Sequence, residues 1–349
     1  MQQLDIGSMT LSELTSLMAQ QGLPGFRAKQ IYQWLHRKNA ASFEEMTDLP
    51  ASLRQTLLES CCVNFPKIKK KLVSVIDNTV KYLYTFQDGQ CVETVLMRYH
   101  HGNSLCVSTQ VGCRMGCQFC ASTIAGFVRC LTPYEILSQL YAAERDTGEK
   151  VSSVVLMGIG EPLDNYDNVT RFLQMLSDSE GHNLSLRHLS LSTCGLVDGI
   201  DRLAREGLQL TLSISLHAPN DQIRRQTMPV ARRWPMDELL DACRRYIQAT
   251  GRRISFEYAM IEGVNDSPAC AKELACRLKG MLCHVNLIPV NPVKERDYRR
   301  SGRQAIGRFV KILETSGIPA TVRRRLGADI NAACGQLRRD HLEQPAEER

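Results

Sequence analysis

No stretch of the 349-residue chain approaches the roughly 18–20 consecutive apolar residues that a membrane span requires, so the sequence offers no transmembrane helix. The opening residues, MQQLDIGSMT, lack the basic-then-apolar order of a secretory signal, and a cytoplasmic address is expected. No internal repeat or low-complexity tract is found, and nothing points to a solenoid or an unstructured polar chain. Charge of one sign does not dominate either. The formal net charge is +6, a mild bias that would not by itself argue for a polyanionic partner. A 43% hydrophobic content and this length allow one large domain plus a smaller one.

Cysteine, by contrast, is plentiful, with 14 in the chain. In a reducing compartment, clustered cysteines indicate metal or redox chemistry rather than disulfides. Cys61, Cys62, Cys91, Cys243, Cys270, Cys276 and Cys283 have no ligand spacing and read as small buried side chains. The basic residues are grouped. Arginine pairs stand at 224–225, 232–233, 244–245, 252–253 and 299–300, a triplet at 323–325, and lysines at 67, 69, 70 and 71. Any single pair reads as a solvated face, but together they permit a polyanion partner.

Apolar periodicity divides the chain. Leu11, Leu14, Leu17 and Met18 share one helical face, Ile31, Trp34 and Leu35 another, and Leu53, Leu57 and Leu58 follow a break at Leu49-Pro50. Val80, Tyr82, Tyr84 and Phe86 alternate up to Asp88-Gly89, and a second strand runs from about Cys91 to Met97, which is a β-hairpin signature. From about residue 104, strands alternate with helices. The expected strands are Leu105–Ser108, Val154–Met157, His188–Ser192, Thr211–Leu216, Ile254–Met260, Val285–Pro289 and Ala320–Val322, with helices such as Pro133–Ala143 and Met236–Ala249 between them. This order predicts right-handed crossovers, a parallel sheet and an α/β fold, a partial (β/α)6 barrel. The expected division is a helical accessory domain over 1–62, a linker and β-hairpin over 63–100, the barrel over 101–335 and a flexible tail over 336–349. Active sites of such folds collect at the carboxyl ends of the strands. Cys113, Gly160-Glu161-Pro162, Ser192, Ser215-Leu216-His217 and Asn291 all fall there.

The strongest local signal is Cys113-Arg-Met-Gly-Cys117-Gln-Phe-Cys120. Thiolates this close in sequence converge on one centre from a single loop, and sulfur ligands select zinc or iron–sulfur. A fully ligated iron–sulfur cube takes four cysteines, so three leave one iron open to a cofactor. The alternative is a structural zinc ion with Cys106 or His217 as its fourth ligand.

CxxxCxxC with Phe119 before the last cysteine resembles the radical S-adenosylmethionine superfamily, and Met157-Gly-Ile-Gly-Glu-Pro162 looks like its cofactor strand. Four further segments are similar to one family within it, the RNA adenine-C2 methyltransferases called RlmN. They are Leu105–Cys113 (LCVSTQVGC), Ser215–Asn220 (SLHAPN), Val285–Pro292 (VNLIPVNP) and Ala332–Leu337 (AACGQL). The resemblance runs over nearly the whole chain, to about residue 339. It implies a [4Fe–4S] cluster on Cys113, Cys117 and Cys120, and S-adenosylmethionine, two molecules per turnover, held by Gly160, Glu161, Ser192, Ser215, Leu216, His217 and Asn291. It also implies that adenosine 2503 of 23S rRNA and adenosine 37 of tRNAs are methylated at C2.

By the same resemblance Cys334 carries the methyl group, Glu93 accepts the C2 proton, and Cys106 resolves the protein–RNA adduct by forming a disulfide with Cys334. Thiolate nucleophilicity and exchange-type displacement suit these sulfur steps. An electron donor of the flavodoxin or ferredoxin kind and a monomeric enzyme are expected. Asn331, Cys194 and Cys130 depart from the residues usual in the family and remove no group the chemistry needs. Two alternatives remain at this stage: a C8-methylating relative of the Cfr type, which gives antibiotic resistance, and a non-catalytic, zinc-stabilised RNA-binding protein.

Overall fold

The computed structural model describes residues 3–291, 297–330 and 335–342. The first layer is helical. A capping box, in which Thr10 and Glu13 satisfy each other's backbone amides, starts α1 (Leu11–Gln20), and α2 (Phe26–His36) and α3 (Ala51–Ser60) follow. A two-residue parallel pair, β1 (Leu4–Asp5) with β2 (Cys61–Cys62), ties the two ends of this layer together. The apolar faces of the helices join the same buried core as the sheet, through Leu14, Met18, Ile31, Leu35, Leu53 and Leu57.

Among the described residues, ten strands form one sheet. The antiparallel strands are β3 (Lys67–Val73), β4 (Val80–Thr85) and β5 (Cys91–Tyr99). β5 pairs antiparallel with β6 (Gly102–Cys106), and from β6 the sheet is parallel through β9 (Val151–Leu156), β10 (Leu189–Thr193), β11 (Thr211–Ser215), β12 (Ile254–Met260), β13 (Cys283–Pro289) and β14 (Ala320–Val322). The crossovers are α4 (Pro133–Thr147), α5 (Tyr166–Ser177), α6 (Val197–Glu206), the pair α7 (Asp221–Thr227) and α8 (Met236–Thr250), α9 (Pro268–Leu278) and α10 (Arg303–Thr315). The sheet ends on β14 at one side and β3 at the other, so the barrel is partial, as the unit count predicts. A separate small hairpin, β7 (Gln110–Gly112) with β8 (Phe127–Cys130), flanks the cysteine loop.

The strand sequences explain where space is left. In β10 the leucines at 189 and 191 are buried toward the helices while Ser190 and Ser192 are half-buried on the other face. The same face of β11, β12 and β13 carries Ser213 or Ser215, Glu257 and Asn286, neighbours in register. They bond across strands: Ser190 to Ser213 at 2.9 Å, Ser192 to Ser215 at 3.4 Å, and Asn286 to Glu257 at 2.7 Å. Small and hydrogen-bonding side chains on the concave face leave room for a ligand, whereas the convex face is close-packed with leucine, isoleucine and phenylalanine.

Two expectations need correction. The lysine-rich segment read as a charge group is strand β3. Residues 336–342, assigned to a flexible tail, form α11 (Gln336–Leu342). Leu337 and Arg338 are buried there, because the helix start is anchored to a carboxylate on β5.

Candidate active site

A cavity of about 360 Å³ opens at the carboxyl ends of the parallel strands, large enough for a cofactor of S-adenosylmethionine size. Cys113, Cys117 and Cys120 line one wall. Their loop is held at both ends: Cys113 N–H donates to Gly126 O at 3.2 Å, Gln118 N–H to Thr227 O at 2.8 Å, and Thr123 Oγ1 to Cys120 O at 2.9 Å. Burial pushes the Cys113 thiol up to about 12, and the Cys117 thiol well above the ordinary thiol value. Such thiols ionise only if a cation takes the place of the proton.

Among the described residues no three histidine, cysteine or carboxylate side chains stand close enough to hold one metal ion. An iron–sulfur cube takes its thiolates at separate corners, and Cys113, Cys117 and Cys120 on one cavity would leave its fourth corner open to a further ligand. His217, considered as a fourth zinc ligand, is engaged elsewhere. Its Nδ1 accepts from Ala259 N–H at 2.9 Å, and its ring meets Phe119 edge-on at a centroid distance of 4.9 Å. Burial lowers its pKa to about 3, so the imidazole is neutral with its proton on Nε2. Its φ of +56° is a left-handed conformation that a non-glycine side chain adopts only when its surroundings impose it.

On the adjacent wall, the strand-to-helix turn after β9 presents Gly160 and Glu161. A Cβ on Gly160, whose φ is +112°, would lie 2.7 Å from Gln110 Cβ and 2.8 Å from Gln110 N. The position therefore accepts no side chain, and the backbone itself forms the wall. Glu161 is buried; its Oε2 accepts from Cys194 N–H at 2.7 Å and its Oε1 from Leu163 N–H at 3.1 Å. Burial raises the pKa of this carboxyl against the lowering effect of those bonds. A bound ammonium group would offset that cost. Ser192, Ser215 and Asn291 complete this side. Leu216 is buried and sends its N–H to Glu257 O at 3.0 Å, and it is not part of the lining.

Cys106, at the end of β6, also lines the cavity and is buried. Glu93 does not line the cavity. Its side chain is fully buried beside the equally buried Lys81, with Nζ to Oε2 at 3.0 Å. It accepts from Gly335 N–H at 2.8 Å and Arg338 N–H at 2.6 Å. Cys334 lies outside the described residues, as does Asn331, but the chain immediately after Cys334 is pinned by Glu93, and Gln336 lines the cavity. The structure thus brings together ten of the expected residues on one cavity and leaves Glu93 outside its lining, holding the carboxyl-terminal segment.

Several functional groups escape sequence reasoning. Glu257 lines the cavity, accepting from Ser255 and Asn286 at 2.9 and 2.7 Å, and a lone charge inside the apolar strand ISFEYAM was the available signal. Arg300 and Arg323–Arg325 line the mouth and are exposed. Only the fold selects them from the other arginine groups.

Comparison with known proteins agrees with this geometry. The family model described as the radical SAM superfamily matches residues 107–271. The model described as the ribosomal RNA large subunit methyltransferase N-terminal domain matches residues 4–63. A Lachnospira eligens protein named "Probable dual-specificity RNA methyltransferase RlmN" is 52% identical over 342 residues, covering 97% of both chains. A Symbiobacterium thermophilum protein of the same name is 53% identical over 333 residues, covering 95% of this chain and 90% of the other. The crystal structure of a radical SAM methyltransferase from Sphaerobacter thermophilus superposes with a TM-score of 0.92 at 46% identity, covering 95% of this chain and 98% of that one.

Proposed function

This chain belongs to the RlmN family of radical S-adenosylmethionine RNA methyltransferases, and from that premise we propose that it adds a methyl group to C2 of adenosine 2503 in 23S rRNA and of adenosine 37 in tRNAs, by way of methylated Cys334. The observation that carries the reading is the shared cavity. The three loop cysteines, Glu161 and Cys106 face one space, and Gln336, two residues beyond Cys334, lines the same space.

Cys113, Cys117 and Cys120 would hold a [4Fe–4S] cluster, which with S-adenosylmethionine would supply radical chemistry able to attack an electron-poor ring carbon. The rest is work for the chain's own groups. Glu161 and the bare backbone at Gly160 would orient the amino-acid end of the cofactor, with Ser192, Ser215, His217 and Asn291 framing the remainder and buried Leu216 supporting them from behind. Neutral His217 donates from Nε2 and adds no charge. Cys334 would serve as the methyl carrier: its thiolate would take the methyl group from the sulfonium of one S-adenosylmethionine, which leaves as the neutral thioether, and a second molecule would be the radical source. Glu93 accepts the C2 proton once the 335–338 segment releases one of its bonds to the carboxylate. The Cys106 thiolate would then attack the Cys334 sulfur, breaking its S–C bond; the electron pair goes to the released carbon, which takes up a proton as the methyl group, and the remaining disulfide is reopened by an external two-electron thiol reductant.

Residues 1–62 form an RNA-binding accessory domain, 63–100 its link to the barrel, and the arginines at the cavity mouth guide the phosphate backbone. A flavodoxin- or ferredoxin-like donor, a monomeric state and a cytoplasmic location go with this reading. Nucleoside analysis of ribosomal and transfer RNA from a deletion strain tests it: 2-methyladenosine should vanish and return on complementation. Loss of 8-methyladenosine instead would assign the Cfr-type reaction. Cys334→Ala should abolish methylation and Cys106→Ala should trap a covalent RNA adduct; normal turnover by either overturns the cysteine relay.

A further inference from the structure

Among the described residues, Arg224 heads the large side chains that are fully buried, at 0% exposure. Among the described residues no carboxylate forms an ion pair with it. Its Nη2 donates to Cys194 O at 2.7 Å and one Nη1 hydrogen reaches Trp234 O at 3.4 Å, while Nε has no partner. Two carbonyl dipoles do not neutralise a buried guanidinium, and an unpaired buried charge is among the costliest features a fold can carry. The nearby carboxylate, Asp221, is bonded to Met236 N–H at 2.9 Å.

The position of this charge is specific. Arg224 sits on α7, whose last residue, Thr227, accepts the Gln118 N–H from inside the cysteine loop at 2.8 Å. Cys117, Cys194 and Met228 form one buried cluster against this helix. The guanidinium thus holds the backbone of Cys194, which packs in the same cluster as Cys117. Gly195 leaves the space for it, since a Cβ there would lie 3.2 Å from Nη2. The Cys194 peptide also bridges two functions: its N–H binds Glu161 and its carbonyl binds Arg224.

We propose that Arg224 is the counter-charge of the iron–sulfur cluster and sets its reduction potential. This rests on the cluster assignment made above for Cys113, Cys117 and Cys120. Three thiolates outweigh the positive charge of an iron–sulfur core, so the assembly is anionic and becomes more so when it gains an electron. A fixed cation behind Cys117 favours the reduced form more than the oxidised one. The same guanidinium holds the Cys194 carbonyl, and so keeps the Glu161 wall in register with the cluster wall. Arg224 is therefore a positioning and tuning residue and touches no substrate.

The test is redox titration of anaerobically reconstituted full-length protein, followed by electron paramagnetic resonance. Wild type must first hold iron and sulfide in [4Fe–4S] proportion; failure there refutes the cluster assignment rather than the role of Arg224. Arg224→Gln and Arg224→Met should then load normally but lower the ratio of reduced to oxidised cluster at a fixed poise about tenfold, equivalent to about 59 mV for one electron. Arg224→Lys should stay near wild type, as should Arg225→Gln next to it. An unchanged midpoint in loaded Gln and Met variants overturns the proposal. If neither neutral variant holds iron, Arg224→Lys decides. Loading by lysine alone shows that the charge is required. Failure of lysine too marks Arg224 as a packing group and overturns the proposal.

Discussion

Replacing Lys81 by methionine should be far more damaging than its conservative shape suggests. Lys81 and Glu93 have side-chain exposures of 1% and 0% and meet at 3.0 Å. Removing one partner of such a pair leaves the other charge in a medium that cannot solvate it, at a typical cost of about 3–5 kcal/mol. Glu93 would keep the Gly335 and Arg338 amides, which places the expected loss near the lower end, about 3 kcal/mol. The exposed pair Lys29–Glu180, at 2.8 Å with exposures of 52% and 33%, supplies the comparison. Lys29→Met there should cost under about 1 kcal/mol. Urea unfolding of the three proteins under anaerobic conditions measures both values, and hydrogen exchange at Gly335 and Arg338 should accelerate in Lys81→Met alone. A loss of less than about 1 kcal/mol for Lys81→Met, with unchanged exchange at those amides, would refute the view that this buried pair anchors the carboxyl-terminal segment.

Gly160→Ala must push a methyl group into Gln110 at 2.7 Å from a left-handed backbone. It should cost about 1–3 kcal/mol and weaken S-adenosylmethionine binding at least tenfold by calorimetry; wild-type affinity would contradict the close-approach argument. Burial lowers the pKa of His36 from its ordinary value near 6.5 to about 3. Its stabilising contribution as a neutral side chain is therefore complete above pH 6.5 and lost as the pH falls toward 3. His36→Phe should flatten the stability profile across that window, and an unchanged slope would exclude His36 as its source. Replacing Arg324 and Arg325 by alanine should reduce the slope of log Kd for RNA against log salt by about 0.7 per lost phosphate contact; an unaltered slope would place the phosphates elsewhere.

The sequence made the parallel strands legible for a physical reason. Each carries alternating or continuous apolar residues between helical segments of distinct period, and all seven expected strands from 105 to 322 are present, with ends shifted by a few residues. β3 was not legible, because KIKKKLV shows no alternation. Its residues are nearly all exposed on an edge, where lysines discourage pairing with other chains. The β7–β8 hairpin is too short for any periodic signal. In the site, spacing pointed to the three cysteines and the resemblance of the glycine-glutamate-proline turn pointed to Glu161, and all four line the cavity. Arg224 read as half of a surface pair, because nothing local distinguishes it from Arg225; only packing against the cysteine loop separates them. Glu93 likewise reads as a solvated strand carboxylate until its partners arrive from 242 and 245 residues away.

That sequence separation has a consequence for biosynthesis. A ribosome delivers Glu93 and Lys81 long before it delivers Gly335 and Arg338, so the nascent barrel waits with a carboxylate whose amide partners are still in the exit tunnel. The buried Glu93 carboxylate therefore acquires these partners only after every strand of the sheet has been synthesised. Translation products that stop short of residue 335 would carry complete cluster ligands but an unfinished floor.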